Sequence, residues 1–179
     1  MLILDKIRKH VNKTPDALVM ISGDEILTYS ELWSRSARLA KEIEKRQNDN
    51  KSPVIVYGHK SPLMLISFIA CARSGRAYCP VDVSMPKHRV ADIAETIGNP
   101  LIIAIEEGHG LGVNSNIMQR DELTDIIEKS ELKDVVTDRS TELGEEDTYY
   151  IIFTSGSTGK PKGAEISCGS STKCVITII

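Results

Sequence analysis

The sequence predicts an α/β fold: a mainly parallel sheet with helices on both faces. Two observations carry this. From Pro53 to Ile105, strand-length apolar runs alternate with segments of helical periodicity, the pattern of βαβ crossovers. Further on, the apolar run Tyr149-Tyr150-Ile151-Ile152-Phe153 leads straight into a glycine- and hydroxyl-rich loop. Open α/β sheets place their ligands where such loops leave the carboxyl ends of strands.

Taken in order, Ile3, Leu4, Ile7 and Val11 share one face of a short amphipathic helix that Thr14-Pro15-Asp16 ends. Residues 17–21 and 26–27 flank Ser22-Gly23-Asp24-Glu25, whose Gly and Asp favour a hairpin turn. Thr28-Tyr29-Ser30-Glu31 has the spacing of a capping box. In that motif the hydroxyl accepts a first-turn N–H and the carboxylate reaches back to the cap. Behind it Leu32, Trp33, Ser36, Leu39, Ala40 and Ile43 recur at helical spacing to about Arg46.

Residues 53–57 form a strand, 62–74 a buried helix stopped by Gly75, and 77–81 the next strand. Ser84-Met85-Pro86 opens a helix carrying Val90, Ile93, Ala94 and Ile97, and residues 101–105 make another buried strand. The stretch 106–116 is an irregular excursion, 121–129 a helix with Leu123, Ile126 and Ile127 inward, and 132–147 an acidic, solvated link. Residues 148–154 form the last strand. From Cys168 onward the chain loses helical periodicity and ends on an apolar run.

Composition bounds the function. A formal charge of −3 with no basic stripe argues against a nucleic-acid partner. The longest apolar stretch, residues 63–72, is interrupted by Ser67 and is about half of the roughly 20 residues that span a bilayer. The start, Met1-Leu2-Ile3-Leu4-Asp5-Lys6, reaches a charge at once and lacks the pattern of a secretory leader. A cytoplasmic protein without a membrane partner is expected. Cys71, Cys79, Cys168 and Cys174 show no metal-ligand spacing, so buried reduced thiols are expected rather than a metal site.

The loop carries the chemistry. Thr154-Ser155-Gly156-Ser157-Thr158-Gly159-Lys160-Pro161-Lys162-Gly163 holds three glycines, four hydroxyls and two lysines. Glycines let backbone N–H groups approach an anion, hydroxyls add donors, and lysines supply charge that a polyphosphate needs. The pattern G-x-x-x-x-G-K-[ST] fails, because Thr154 and Pro161 stand at its first and last positions. G-x-G-x-x-G fails as well, since Gly156 and Gly159 are three apart. A mobile, merely solubilising surface turn is the bland alternative.

This loop resembles the signature loop of the adenylate-forming, AMP-binding enzymes, the acyl-CoA synthetases and peptide-synthetase adenylation domains. Leu27-Thr28-Tyr29-Ser30-Glu31-Leu32 resembles that family's first core motif. Residues 73–82, Arg73-Ser74-Gly75-Arg76-Ala77-Tyr78-Cys79-Pro80-Val81-Asp82, with Pro86 and Arg89, resemble its second. Val56-Tyr57-Gly58-His59 and residues 74–78 are most similar to the branch that ligates D-alanine to a carrier protein for teichoic acid modification.

The resemblance implies the N-terminal part of the family's large domain over residues 1–167. It implies ATP and Mg2+ as cofactors, D-alanine or another small carboxylic acid as substrate, and a carrier protein bearing phosphopantetheine as partner. The acid would be activated as its adenylate with release of pyrophosphate. On the family pattern Thr154 and Ser155 contact the nucleotide. Thr158, Gly159 and Lys160 form the phosphate cradle, Lys162 compensates charge, and Gly156 and Ser157 belong to the same cofactor-binding set. A lysine about 4 Å from a phosphate charge is worth roughly 4 kcal/mol at an effective dielectric of 20, before desolvation.

Family members continue through an acid pocket, a magnesium-contacting segment, a ribose-binding aspartate and a mobile domain with the catalytic lysine, none of which this sequence contains. Residues 168–179 are read as an aberrant tail, with a frame change near Ser167 as the hypothesis. Resequencing the locus tests it, and an uninterrupted frame ending at Ile179 would exclude it. At this length the chain is expected to aggregate, to bind ATP weakly and to form no adenylate. An acyl or aryl acid CoA ligase, and a non-catalytic nucleotide-binding or interaction module, are the alternatives.

Asp82 and Arg89 are read as holders of the turn around Pro86, His59 as a solvated or hydrogen-bonded loop residue, Trp33 as core, and Glu31 as a cap.

Overall fold

The computed structural model describes residues 2–48, 50–107, 110–113, 116–128, 139–155 and 161–171. The chain begins with helix α1 (Ile3–Lys13), whose Leu4 and Ile7 are buried. A two-residue turn at Gly23-Asp24 then joins β1 (Leu18–Ser22) to β2 (Glu25–Thr28) as an antiparallel pair. Helix α2 (Tyr29–Gln47) starts with the capping box that the sequence spells. Thr28 Oγ1 accepts the Glu31 N–H at 3.2 Å, and Glu31 Oε2 accepts the Thr28 N–H at 2.9 Å.

That cap sets a testable quantity. The Thr28 N–H, with help from the hydroxyl and Arg35, holds the Glu31 carboxyl below its usual range. A carboxyl lowered in the folded state contributes stability above its unfolded value and loses it as pH falls through the folded one. Thr28→Ala is therefore expected to cost about 1 kcal/mol at pH 7. The difference from the parent chain should narrow below pH ~4, as thermal unfolding at both pH values would show.

The sheet comes next. Its strands are β3 (Val54–Tyr57), β4 (Tyr78–Val81), β5 (Ile102–Ala104), β6 (Ile117–Met118), β7 (Thr148–Ser155) and β8 (Pro161–Ser167), in the order β6-β5-β3-β4-β7-β8. All neighbours run parallel except β8, which returns antiparallel along β7. Alternation along the strands builds two cores, because successive side chains point to opposite faces. Val54, Val56, Tyr78 and Ile103 join the core under α1, α2, α3 (Pro62–Arg73) and α5 (Arg120–Glu128). Ile55, Tyr57, Cys79, Val81, Ile102 and Ala104 face α4 (Lys87–Ile97). The sheet is thus mainly parallel and covered on both faces, as the strand–helix alternation predicts.

Gly75 ends α3 in the left-handed conformation, with φ +71. The closing turn donates the Arg76 N–H to the Cys71 carbonyl at 3.0 Å. At the same place two arginines are buried. Arg73 lies 3.7 Å over the Trp33 ring and donates to the Trp33 carbonyl at 2.6 Å and to Ser36 Oγ at 3.0 Å. Burial pushes its guanidinium down to about 10, partly opposed by Glu142. Arg76 donates to the carbonyls of Asn48, Asn50 and Ser74. Trp33 itself is only partly buried, with Arg8 5.1 Å from its centroid.

Three features differ from the sequence expectation. Residues 132–138 of the acidic link lie outside the described residues, but residues 141–144 are docked rather than solvated. Leu143 is buried and its N–H bonds the Ala72 carbonyl at 3.0 Å, while Glu142 accepts from Arg8 at 2.8 Å. Strand β6 carries no sequence signal, being two residues long and held by pairing with β5. Strand β8 was missed too, because Lys162-Gly163-Ala164-Glu165 has no apolar alternation and pairs only through its register with β7.

After β8 comes α6 (Cys168–Ser171). The Cys168 N–H bonds the Asp147 carbonyl, the Gly169 N–H bonds that of Glu145, and Cys168 is buried. Burial pushes the thiols of Cys71 and Cys79 up to about 12 and that of Cys168 up to about 11, so all three stay protonated at neutral pH. Cys174 lies outside the described residues. Among those described, no group of His, Cys, Asp and Glu side chains is placed to hold a metal, and no helix is long and apolar enough to cross a membrane.

Candidate nucleotide site

The signature loop sits at the tip of the β7–β8 hairpin. Register pairs Phe153 with Gly163, Thr154 with Lys162, and Ser155 with Pro161. Gly156, Ser157, Thr158, Gly159 and Lys160 lie outside the described residues. Thr154 and Lys162 are directly opposed and exposed. Opposed residues of an antiparallel pair share a face with Cβ atoms about 5 Å apart. The structure therefore brings these two predicted site residues together, flanking the loop.

Gly163 does something else. A Cβ there would stand 3.0 Å from Ile151 Cγ2 and 3.1 Å from the Phe153 ring, so the last glycine of the motif admits close packing across the hairpin. Phe153 packs against the α4-side core. By alternation Thr154 and Lys162 project toward the face that carries α3.

The strand ends beside the hairpin are polar. Asp82 follows β4 and accepts the Ser84 N–H at 2.9 Å, holding its turn as expected. Its other oxygen meets His59 Nδ1 at 2.9 Å, from the loop after β3. Ser84's hydroxyl and amide, and then His59, hold the Asp82 carboxyl below its usual range. The sequence offered no signal for this pair, whose members are 23 residues apart and meet only because β3 and β4 are adjacent.

On the α3 face, a largely apolar groove of about 540 Å³ runs between Phe68, Tyr78 and Tyr149 toward Lys60 and Asp82. Tyr78 stacks on Phe68 at 4.0 Å and meets Tyr149 edge-on at 5.2 Å. Burial raises both tyrosine hydroxyls above their usual range, so they remain neutral. A second, polar cavity of about 430 Å³ lies at the opposite end of the strands, among Lys51, Gly75, Thr141 and Thr148. It is remote from the hairpin tip.

The AMP-binding enzyme family matches residues 7–179, and the chain belongs to that family. Within it, the chain is 41% identical over 170 residues to the D-alanine–D-alanyl carrier protein ligase of Bacillus licheniformis, covering 93% of this chain and 32% of that protein. It is 40% identical over 168 residues to the ligase of the same description from Listeria monocytogenes, covering 92% and 32%. The chain thus spans about a third of the length of these relatives. In fold it is similar to the Klebsiella oxytoca NpsA N-terminal subdomain, with a TM-score of 0.74 at 22% identity, over 93% of this chain and 41% of that one.

Proposed function

We propose that the β7–β8 hairpin and its loop bind the triphosphate of ATP, as part of a ligase that activates D-alanine as its adenylate. The acyl group then passes to the phosphopantetheine thiol of a carrier protein, for teichoic acid D-alanylation in the cytoplasm. The observation that carries this reading is the pairing of Thr154 with Lys162 at the carboxyl end of a parallel sheet. It holds both ends of a Gly- and hydroxyl-rich segment where strand ends receive ligands. The 41% identity to a D-alanine ligase supports the choice of acid.

Carboxylate attack on the α-phosphorus forms the mixed anhydride and expels pyrophosphate, so negative charge grows on the leaving β and γ oxygens. Fixed donors and cations aimed at that charge lower the barrier. Lys162 is exposed and fixed at its backbone by the hairpin ladder. On the family pattern Lys160 adds a second cation, and Gly156, Ser157, Thr158 and Gly159 supply N–H and hydroxyl donors. The donor set fits a polyphosphate anion. Mg2+ bound with the nucleotide would supply further charge neutralisation.

The test joins residues 1–167 in frame to the remaining two thirds of the Bacillus licheniformis relative and measures D-alanine-dependent ATP–pyrophosphate exchange. Exchange is expected, and Lys160→Ala with Lys162→Ala should lower it by about a hundredfold. Exchange with aryl or fatty acids but not D-alanine would overturn the substrate assignment.

A further inference from the structure

The crossovers leaving β3 and β4 go to opposite faces. Helix α3, after β3, packs in the core shared with α1 and α2, whereas α4, after β4, packs in the other core. The connection from β3 leads to β4 on one side, and that from β4 leads back across β3 to β5 on the other. The carboxyl ends of β3 and β4 are therefore a topological switch point, where a crevice opens between diverging loops and where open sheets bind ligands. His59 and Asp82 meet in that crevice at 2.9 Å.

The pair has a defined polarity. An ionised carboxylate only accepts, so Nδ1 of His59 carries the hydrogen and Nε2 is the outward nitrogen. Asp82 is fixed by the Ser84 N–H on its other oxygen. The ladder continues as the Gly58 N–H bonds the Val81 carbonyl at 3.0 Å, which sets the backbone before His59. The His59 side chain is 64% exposed. Strand β7 lies next to β4, with Tyr78 opposite Tyr150. Asp82 and Thr154 each follow that pair by four residues, so both belong to the carboxyl ends of neighbouring strands.

We propose that His59, oriented by Asp82, is a second phosphate contact of the nucleotide site, donating Nε2–H of its imidazolium to an oxygen of the triphosphate or of the pyrophosphate it releases. This rests on the nucleotide reading of the hairpin. Asp82 is a positioning residue, since it acts through His59. Neutral His59 offers only a lone pair at Nε2, so this contact requires the protonated ring. The charged groups on the elements next to His59 are Asp82 after β4, Lys60 next in its own loop, and Glu106 after β5, which pairs with Arg120 at 3.9 Å.

The experiment titrates the 179-residue chain, carrying 15N-labelled histidine, with inorganic pyrophosphate at pH 6.5 and pH 8.5. The His59 ring nitrogens should shift on binding. His59→Gln should weaken pyrophosphate about tenfold at pH 6.5 and less than about twofold at pH 8.5, the size expected of one charge-assisted hydrogen bond. Asp82→Asn should give a smaller loss at pH 6.5. Pyrophosphate's own protonation is common to every variant and cancels.

Unchanged affinity in His59→Gln, together with weakened binding in Lys162→Ala, would overturn this contact and leave the hairpin site standing. A change in melting temperature without a change in affinity would reduce the pair to a structural tie and overturn it too. Unchanged affinity in both variants would remove the nucleotide reading and this inference with it.

Discussion

Gly75→Ala is expected to destabilise the fold by about 3 kcal/mol, lowering the melting temperature by roughly 9 °C at ~3 °C per kcal/mol for a chain of this size. Two costs add. The residue sits at φ +71, where an L side chain pays about 1–2 kcal/mol. A Cβ there would also stand 2.3 Å from the Thr141 carbonyl oxygen and 2.8 Å from Lys51 Nζ. Lysine can swing away; a backbone carbonyl can yield only by moving its segment. That segment carries Leu143 into the core and bonds Ala72, so the substitution pushes residues 139–147 off the end of α3. Trp33, the single tryptophan, reports unfolding by fluorescence. An unchanged melting temperature would mean that this segment is not seated on the helix.

Arg73→Ala is expected to cost about 3–5 kcal/mol, as truncation of a large, fully buried side chain does. The side chain is 1% exposed and ties α3 to α2 through the Trp33 carbonyl, Ser36 and the indole face. Removing it leaves a cavity beside Trp33, takes one donor from Ser36 Oγ and one from the Trp33 carbonyl, which keeps the Ser36 hydroxyl at 3.2 Å, and strips Glu142 of a neighbouring guanidinium charge while that of Arg8 remains. Arg73→Lys keeps the charge but loses the planar stack and the fork of donors, so about half the loss should persist. Circular dichroism melts of both variants separate charge from geometry. Equal stability of Arg73→Lys and the parent would show that the stack contributes nothing.

Much of this fold was legible because local chemistry and global pattern agree. Thr28 and Glu31 spell a cap that forms, and Gly75 marks a stop that needs a positive φ. The β-branched run 54–57 is buried on both faces, as a central parallel strand requires. What escaped depends on partners distant in sequence. Arg73 and Arg76 read as surface residues by type, and only the fold supplies the indole and the carbonyls that let them be buried. Leu143 is one apolar residue in an acidic stretch, too little for periodicity to register. Strand β8 has no pattern of its own and is made by β7.

The candidate site divides in the same way. Composition singled out the loop, whereas its placement at a hairpin tip, the opposition of Thr154 to Lys162, and the packing role of Gly163 came from strand register. In the sequence His59 and Asp82 each read as separate loop residues. Their union follows from strand order alone, because β3 and β4 end side by side and diverge.

Whether the β7–β8 hairpin clasps a triphosphate is decided by titrating the uniformly 15N-labelled chain with ATP and following its amide resonances. The account predicts saturable millimolar shifts concentrated at Thr154, Ser155 and Lys162, small ones at Lys51 and Leu143 at the far end of the strands, and loss of the effect in Lys160→Ala with Lys162→Ala. Shifts centred elsewhere, or an unchanged titration in that double variant, would contradict it.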